Sequence, residues 1–257
     1  MRFQPFALLL CLTLAAPAQT QTSAPAPSKV RNLLFEETTI HSGSSGQFDA
    51  AQHDYCAAVV KGGAPACLVF STATFGQSDF YFTLLPFASF IHYDQGKYTD
   101  KGLTPEEAKA LSARRVPPVA SNHESAIALH IDASVLPTVT NAAYPLNLFT
   151  EYRLHPGSAA VFLDAIRKYQ LPAARKSGAL EFEVFTTTVG EDTDRILIAT
   201  RLKNFAELDQ LDPIAAAMTP QERDLFQQAV IANASSVRTY IMRYRADISA
   251  VPLQAPK

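Results

Sequence analysis

The chain has 257 residues, with 22 lysines and arginines against 24 aspartates and glutamates, and 47% of it is hydrophobic. That balance excludes a disordered chain and gives no general attraction to nucleic acid or anionic membranes. The phosphate-loop, dinucleotide-glycine, HExxH, CxxC and GxSxG patterns are all missing, which removes the sequence basis for nucleotide, zinc-protease and α/β-hydrolase chemistry.

The chain starts with Met1 and Arg2, runs through an apolar stretch from Phe6 to Ala16, and reaches Pro17 and Ala18. An early positive charge, a short apolar core and small residues at the end describe a signal peptide, residues 1–18. The apolar run falls well short of the roughly 20 residues that span a bilayer. Residues 19–29, rich in Pro, Ala and Thr, read as a flexible leader. The expected location is the periplasm or the exterior, with no membrane attachment after cleavage. In that oxidising setting Cys56 and Cys67 can form a disulfide; two ordinary buried thiols are the alternative.

From residue 30 onward the elements come in one order, twice. A strand over 32–40 ends at Gly43, and a helix follows whose apolar stripe is Phe48, Ala51, Tyr55, Ala58 and Val59. Gly62 and Gly63 stop it. Strands over 68–74 and 80–85 form a hairpin through Gly76. Thr104-Pro105-Glu106-Glu107 is a capping box that starts the second helix. A strand over 126–132 closes the unit.

Landmarks then return 114 or 115 residues later: Leu34-Phe35 as Leu148-Phe149, Phe48 and Tyr55 as Phe162 and Tyr169, Val69-Phe70 as Val184-Phe185. The second set of strands covers 146–154, 181–189, 195–202 and 237–245, with the second capping box at Thr219-Pro220-Gln221-Glu222. The expectation is an α+β protein of two tandem ferredoxin-like βαββαβ units, residues 30–137 and 146–250. Each antiparallel sheet leaves one face bare, so the two sheets should pack face to face as a pseudo-dimeric α/β barrel. A monomeric pseudo-dimer and a homodimer both satisfy this.

The segment Glu151-Tyr152-Arg153-Leu154-His155-Pro156-Gly157 before a helix, and Phe205-Ala206-Glu207-Leu208 after the third strand, resemble the dimeric α/β-barrel superfamily in its tandem, NIPSNAP-like form. The first copy departs from that pattern, with Thr39 and Ser42 where the second has Arg153 and Pro156. The resemblance implies a sheet-lined cavity. It also implies, by analogy, that cofactor-independent oxygenase or isomerase chemistry is available to the fold.

Alternation along the first strand of each copy places Glu37 and His41, and Glu151, Arg153 and His155, on equivalent faces. If those faces look into the space between sheets, the five converge on a polar pocket for an anionic or carbonyl-bearing ligand. A metal held by His and Glu is a weaker reading, solvated strand ends a plainer one; no cofactor is called for. The last strand carries Arg238, Arg243 and Arg245, and a strand-edge arginine among them is expected to pair with Glu181 or Glu183. Phe75, Phe80, Tyr81, Phe82, Phe87, Phe90 and Tyr93 serve either core packing or an apolar pocket. Together these suggest a protein that binds a small, partly apolar or anionic molecule between its sheets. An enzyme of the kind above and a protein-interaction module are the alternatives.

Overall fold

The computed structural model describes residues 30–137, 139–190, 193–209 and 212–252; the signal peptide and leader expected over 1–29 lie outside them. The first half runs β1 (Val30–Ile40), α1 (Ser45–Lys61), β2 (Leu68–Thr72), β3 (Phe80–Phe87), three helices α2 (Ile91–Asp94), α3 (Tyr98–Gly102) and α4 (Pro105–Arg115), and β4 (Val119–His130). The second half runs β5 (Leu146–Leu154), α5 (Ala159–Ala165), a π turn (Ile166–Gln170), α6 (Leu171–Ser177), β6 (Phe182–Gly190), β7 (Arg195–Leu202), α7 (Pro213–Ala217), α8 (Pro220–Asn233) and β8 (Ala234–Tyr244).

Local chemistry accounts for most of these boundaries. Both capping boxes are formed: Thr104 Oγ1 accepts from the Glu107 N–H at 3.2 Å while the Glu107 carboxylate accepts from the Thr104 N–H at 2.7 Å, and Thr219 and Glu222 repeat this at 3.2 and 2.8 Å. Gly178 ends α6 in the left-handed conformation. The π turn precedes Pro172, which has no N–H to give the preceding helical turn. β4 begins at Val119, well before the expected 126, because the polar run Ser121–Glu124 carries no apolar alternation yet pairs fully with β1.

The eight strands close into one antiparallel barrel in the order β1-β3-β2-β8-β5-β7-β6-β4. Each half contributes four neighbouring strands. The halves meet edge to edge, through Phe70–Thr72 with Met242–Tyr244 and through Ser125–Leu129 with Phe185–Gly190. The two sheets therefore face each other as one closed wall, not as separate stacked layers.

Inside the wall the middle is filled by rings. Phe35, Phe70, Phe82, Phe149, Phe185 and Met242 are all buried there, with edge-on contacts between Phe35 and Phe82 at 4.8 Å and between Phe82 and Phe149 at 5.2 Å. Of the aromatic set in the first half, Phe80 and Phe82 join this core, whereas Phe75 and Phe90 are exposed. Two further apolar clusters lie between each half's sheet and its helices, around Phe48 and Tyr81 and around Phe162 and Tyr152. Cys56 of α1 and Cys67, just before β2, form a disulfide with Cα atoms 5.2 Å apart.

Candidate functional sites

Strand alternation sends Phe35, Glu37 and Thr39 of β1, and Phe149, Glu151 and Arg153 of β5, toward the barrel interior, so one end of the barrel is polar. The alternation stops one residue later. The register shifts between Thr39 and Ile40, and again between Arg153 and Leu154. His41 and His155 consequently leave the wall. Each is exposed in a turn, its N–H bonded at 2.8 Å to the carbonyl of Pro118 or Asn233. The two histidines are therefore not part of the cavity that Glu37, Glu151 and Arg153 line; equal spacing in sequence did not survive the bulge.

The residue that ties this end together is Arg195, the first of β7, which is 3% exposed. Its Nη1 lies 2.6 Å from Glu37 Oε2 and 3.7 Å from Glu151 Oε2, and its guanidinium sits 5.2 Å over the Phe35 ring. Arg153 Nε donates to Glu151 Oε1 at 2.9 Å, and the Tyr240 hydroxyl reaches the other Glu151 oxygen at 3.5 Å. Burial pushes the Glu37 carboxyl up, with Arg195 opposing. Above this floor is a cavity of about 490 Å3 whose walls include Gln77, Phe80, Ser121, His123 and Arg238. Sequence reasoning missed Arg195, His123 and Arg238 as part of this end. The signal was available: an arginine opens an otherwise apolar strand, 115 residues after Phe80.

The opposite end of the barrel is also polar. Arg201 and Glu181 form a buried ion pair, and Arg201 also donates to Val139 O at 2.9 Å and Asn141 Oδ1 at 2.7 Å. Burial, reinforced by the Glu181 charge, pushes the Glu183 carboxyl up to about 8. The expected pairing of Arg243 or Arg245 with these glutamates does not form. Arg201 takes Glu181, and Arg245 Nη2 binds Asp49 at 2.7 Å and Asp247 at 2.6 Å.

Each half also has a cavity between its sheet and helices. In the first half, about 280 Å3, most polar groups satisfy one another, while His92 Nε2 is buried without a hydrogen-bond partner among the described residues. Arg115 Nη2 meets Glu36 Oε2 at 2.5 Å, Arg115 Nε donates to Gln52 Oε1 at 2.9 Å, Gln52 Nε2 donates to Thr83 Oγ1 at 3.1 Å, and the Tyr55 hydroxyl donates to Glu36 Oε1 at 3.0 Å. The second-half cavity is about 390 Å3, with walls that include Leu148, Tyr152, Phe182 and Ile198. Gln170, from the π turn, lines it too, and its Oε1 is buried without a hydrogen-bond partner among the described residues. Burial pushes the Tyr152 phenol up to about 12, with the Gln170 amide opposing. The hydroxyl stays protonated at neutral pH.

Among the described residues no group of three or more His, Cys, Asp or Glu is placed to hold a metal, and no helix is long and apolar enough to cross a membrane.

Neither a protein-family model nor a curated protein sequence matches the chain. Solved structures do. An anthrone oxidase-like protein superposes with a TM-score of 0.63 at 12% identity, covering 85% of this chain and 92% of that one. A monooxygenase candidate from Fusobacterium nucleatum gives 0.57 at 12% identity, over 84% and 92%. Another from Lactobacillus acidophilus gives 0.53 at 10%, over 86% and 96%. At such identities the likeness is one of fold: a closed antiparallel eight-stranded barrel of the dimeric α/β-barrel kind.

Proposed function

We propose that the chain is an exported tandem of two ferredoxin-like units, duplicated in the NIPSNAP-like manner, that binds a small, partly apolar molecule in the cavity beneath the helices of its second half. The strand order β4-β1-β3-β2 in one half and β8-β5-β7-β6 in the other supports the tandem reading, and the Cys56–Cys67 cystine suits an oxidising compartment. The ligand is placed outside the barrel because phenylalanines fill the middle of the space between the sheets and the open end of the barrel is lined by charged groups.

The observation that carries the binding reading is Gln170 Oε1. A buried acceptor left unmet costs about 1–3 kcal/mol, and this one borders a cavity whose walls carry both apolar side chains (Leu148, Phe182, Ile198, Ile214) and polar ones (Thr150, Thr200, Lys203, Asp212). A molecule with a ring or alkyl body and one hydroxyl or N–H donor meets both features. Titration calorimetry with 1-naphthol tests it. Saturable 1:1 binding is expected, weakened about tenfold by Gln170→Leu, since a lost hydrogen bond of about 1.4 kcal/mol is a factor of ten. Absence of naphthol binding, together with no co-purifying small molecule in native mass spectrometry, would sink the reading.

A second reading, oxygenase-type turnover in the same cavity, draws on the shared fold with an anthrone oxidase-like protein and on Tyr152, whose protonated hydroxyl is a donor for a developing oxyanion. Oxygen uptake with anthrone as substrate is its test. No uptake above the buffer rate removes this reading and leaves binding standing.

A further inference from the structure

The polar end of the barrel is a different place from the cavity just discussed, and its make-up is set by differences between the halves. At matched register the first half supplies Thr39, Phe80, His123 and Ser125, where the second supplies Arg153, Arg195, Arg238 and Tyr240. Each half adds one glutamate, Glu37 or Glu151. Arg195 holds Glu37 and Arg153 holds Glu151. Arg238 lies directly across from Glu151 in the sheet, yet no carboxylate among the described residues forms an ion pair with it. Its guanidinium acts on the Tyr240 phenol, whose pKa burial raises and Arg238 lowers.

We propose that this end of the barrel is a binding site for a small hydroxylated carboxylate of the uronic-acid kind, its carboxylate on the guanidinium of Arg238. A planar guanidinium matches a carboxylate with two parallel hydrogen bonds. Because Glu37 and Glu151 are already engaged, neither competes for that cation. The rest of the lining suits a polyol. Thr39 and Ser121 supply hydroxyls and Gln77 an amide, each able to give or accept a hydrogen bond. The Phe80 and Tyr240 rings, 5.9 Å apart and 35° from parallel, offer an apolar face to the C–H side of a sugar ring. A volume of about 490 Å3 is within the range of small-molecule sites, roughly 300–1,000 Å3. The charges belong mainly to the second half and the hydroxyls mainly to the first, so the site exists only because the two copies have diverged.

Titration calorimetry with D-glucuronate, and with D-glucose and glucuronate methyl ester as uncharged controls, tests the proposal on the purified protein. Glucuronate should bind at least tenfold more tightly than either control, and more weakly as salt is raised, since the site is open to solvent. Arg238→Gln should remove at least tenfold of that affinity with an unchanged melting temperature, and Arg238→Lys should restore only part of it. Gln170→Leu should leave glucuronate binding untouched, which separates this site from the apolar cavity. Equal affinity for glucuronate and glucose, no binding of glucuronate, galacturonate or gluconate, or full binding by Arg238→Gln would each overturn it.

Discussion

Between sheet and helices, the first half holds Glu36, Gln52, Thr83 and Arg115, linked in a chain by an ion pair and hydrogen bonds. The second half holds Thr150, Ile166, Ile198 and Val230 at the same positions. In the barrel the pattern reverses. Leu33, Leu68 and Pro86 of the first half occupy the positions of Asn147, Glu183 and Arg201 in the second, and Phe80 stands where Arg195 does. Even the cystine takes part: Cys56 and Cys67 match Gln170 and Phe182, two of the residues around the second cavity. One half has locked the space beneath its helices with charge and a covalent bond. The other has a larger cavity there, about 390 against 280 Å3, and carries charge inside the barrel. A single backbone plan accommodates both because the period-two alternation of a strand lets either face take polar residues, provided each buried one finds a partner.

The largest effect should come from breaking the lock in the first half at one point. Arg115→Ala leaves Glu36, 1% exposed, as an unpaired buried carboxylate, which costs about 3–5 kcal/mol in urea unfolding. Replacing the whole network by its second-half counterparts, Glu36→Thr, Gln52→Ile, Thr83→Ile and Arg115→Val, with Tyr55→Phe to avoid an orphaned hydroxyl, should be neutral or stabilising by about 1–4 kcal/mol. If the single substitution is harmless, the network is not holding the first half together and the comparison loses its first term.

The second effect concerns the cystine. Reducing Cys56–Cys67, which spans 11 residues, should lower stability by about 2–4 kcal/mol. The loss should appear as earlier hydrogen exchange in α1 and β2, while α5 and β6 keep their protection. Uniform loss across both halves would mean that the halves unfold as one unit and that the lock is not local.

The capping boxes and the eight strands were legible because each depends on local patterning: period two, period 3.6, a Thr-Pro-x-Glu signature. A barrel was expected from the resemblance, but the edges that close it were not, because pairing of β2 with β8 and of β4 with β6 depends on partners far apart in sequence. Glu37, Glu151 and Arg153 line one cavity because alternation turns them inward, whereas His41 and His155 are carried past their bulges into solvent. The π turn that brings in Gln170 could have been suspected from Pro172 inside a helical pattern. The Glu36–Arg115 lock joins residues from β1 and α4, and no spacing announces it.

A smaller effect tests the reversal inside the barrel through pH. Glu183 is raised from 4.5 to about 8 in the folded protein, so the native state holds a proton that the unfolded chain releases. Stability from this carboxyl is therefore full below about pH 4.5 and is lost as pH rises toward 8. The urea midpoint should fall between pH 5 and pH 8, and Glu183→Gln, which stays neutral, should flatten that fall. Glu183→Leu, which restores the Leu68 chemistry of the first half, should flatten it equally. A fall that survives both substitutions would assign the pH dependence elsewhere.

The smallest effects should be the ones the halves share. Thr104→Ala and Thr219→Ala each remove the hydroxyl that accepts from the third residue of their helix, at 3.2 Å in both, and each should cost about 1 kcal/mol. Both caps are exposed and neither touches a lock, a cavity or a barrel end. Equality is therefore the expectation, and it calibrates the rest: where the two copies kept the same chemistry they should respond alike, and where they diverged they should not. A clearly larger loss for Thr104→Ala would carry a specific meaning. It would place α4, whose last residue is Arg115, under tension from the Glu36 network, so that fraying at the cap is felt at the ion pair. That outcome predicts its own control, since the substitution set that removes the network should bring the two cap losses back to the same value.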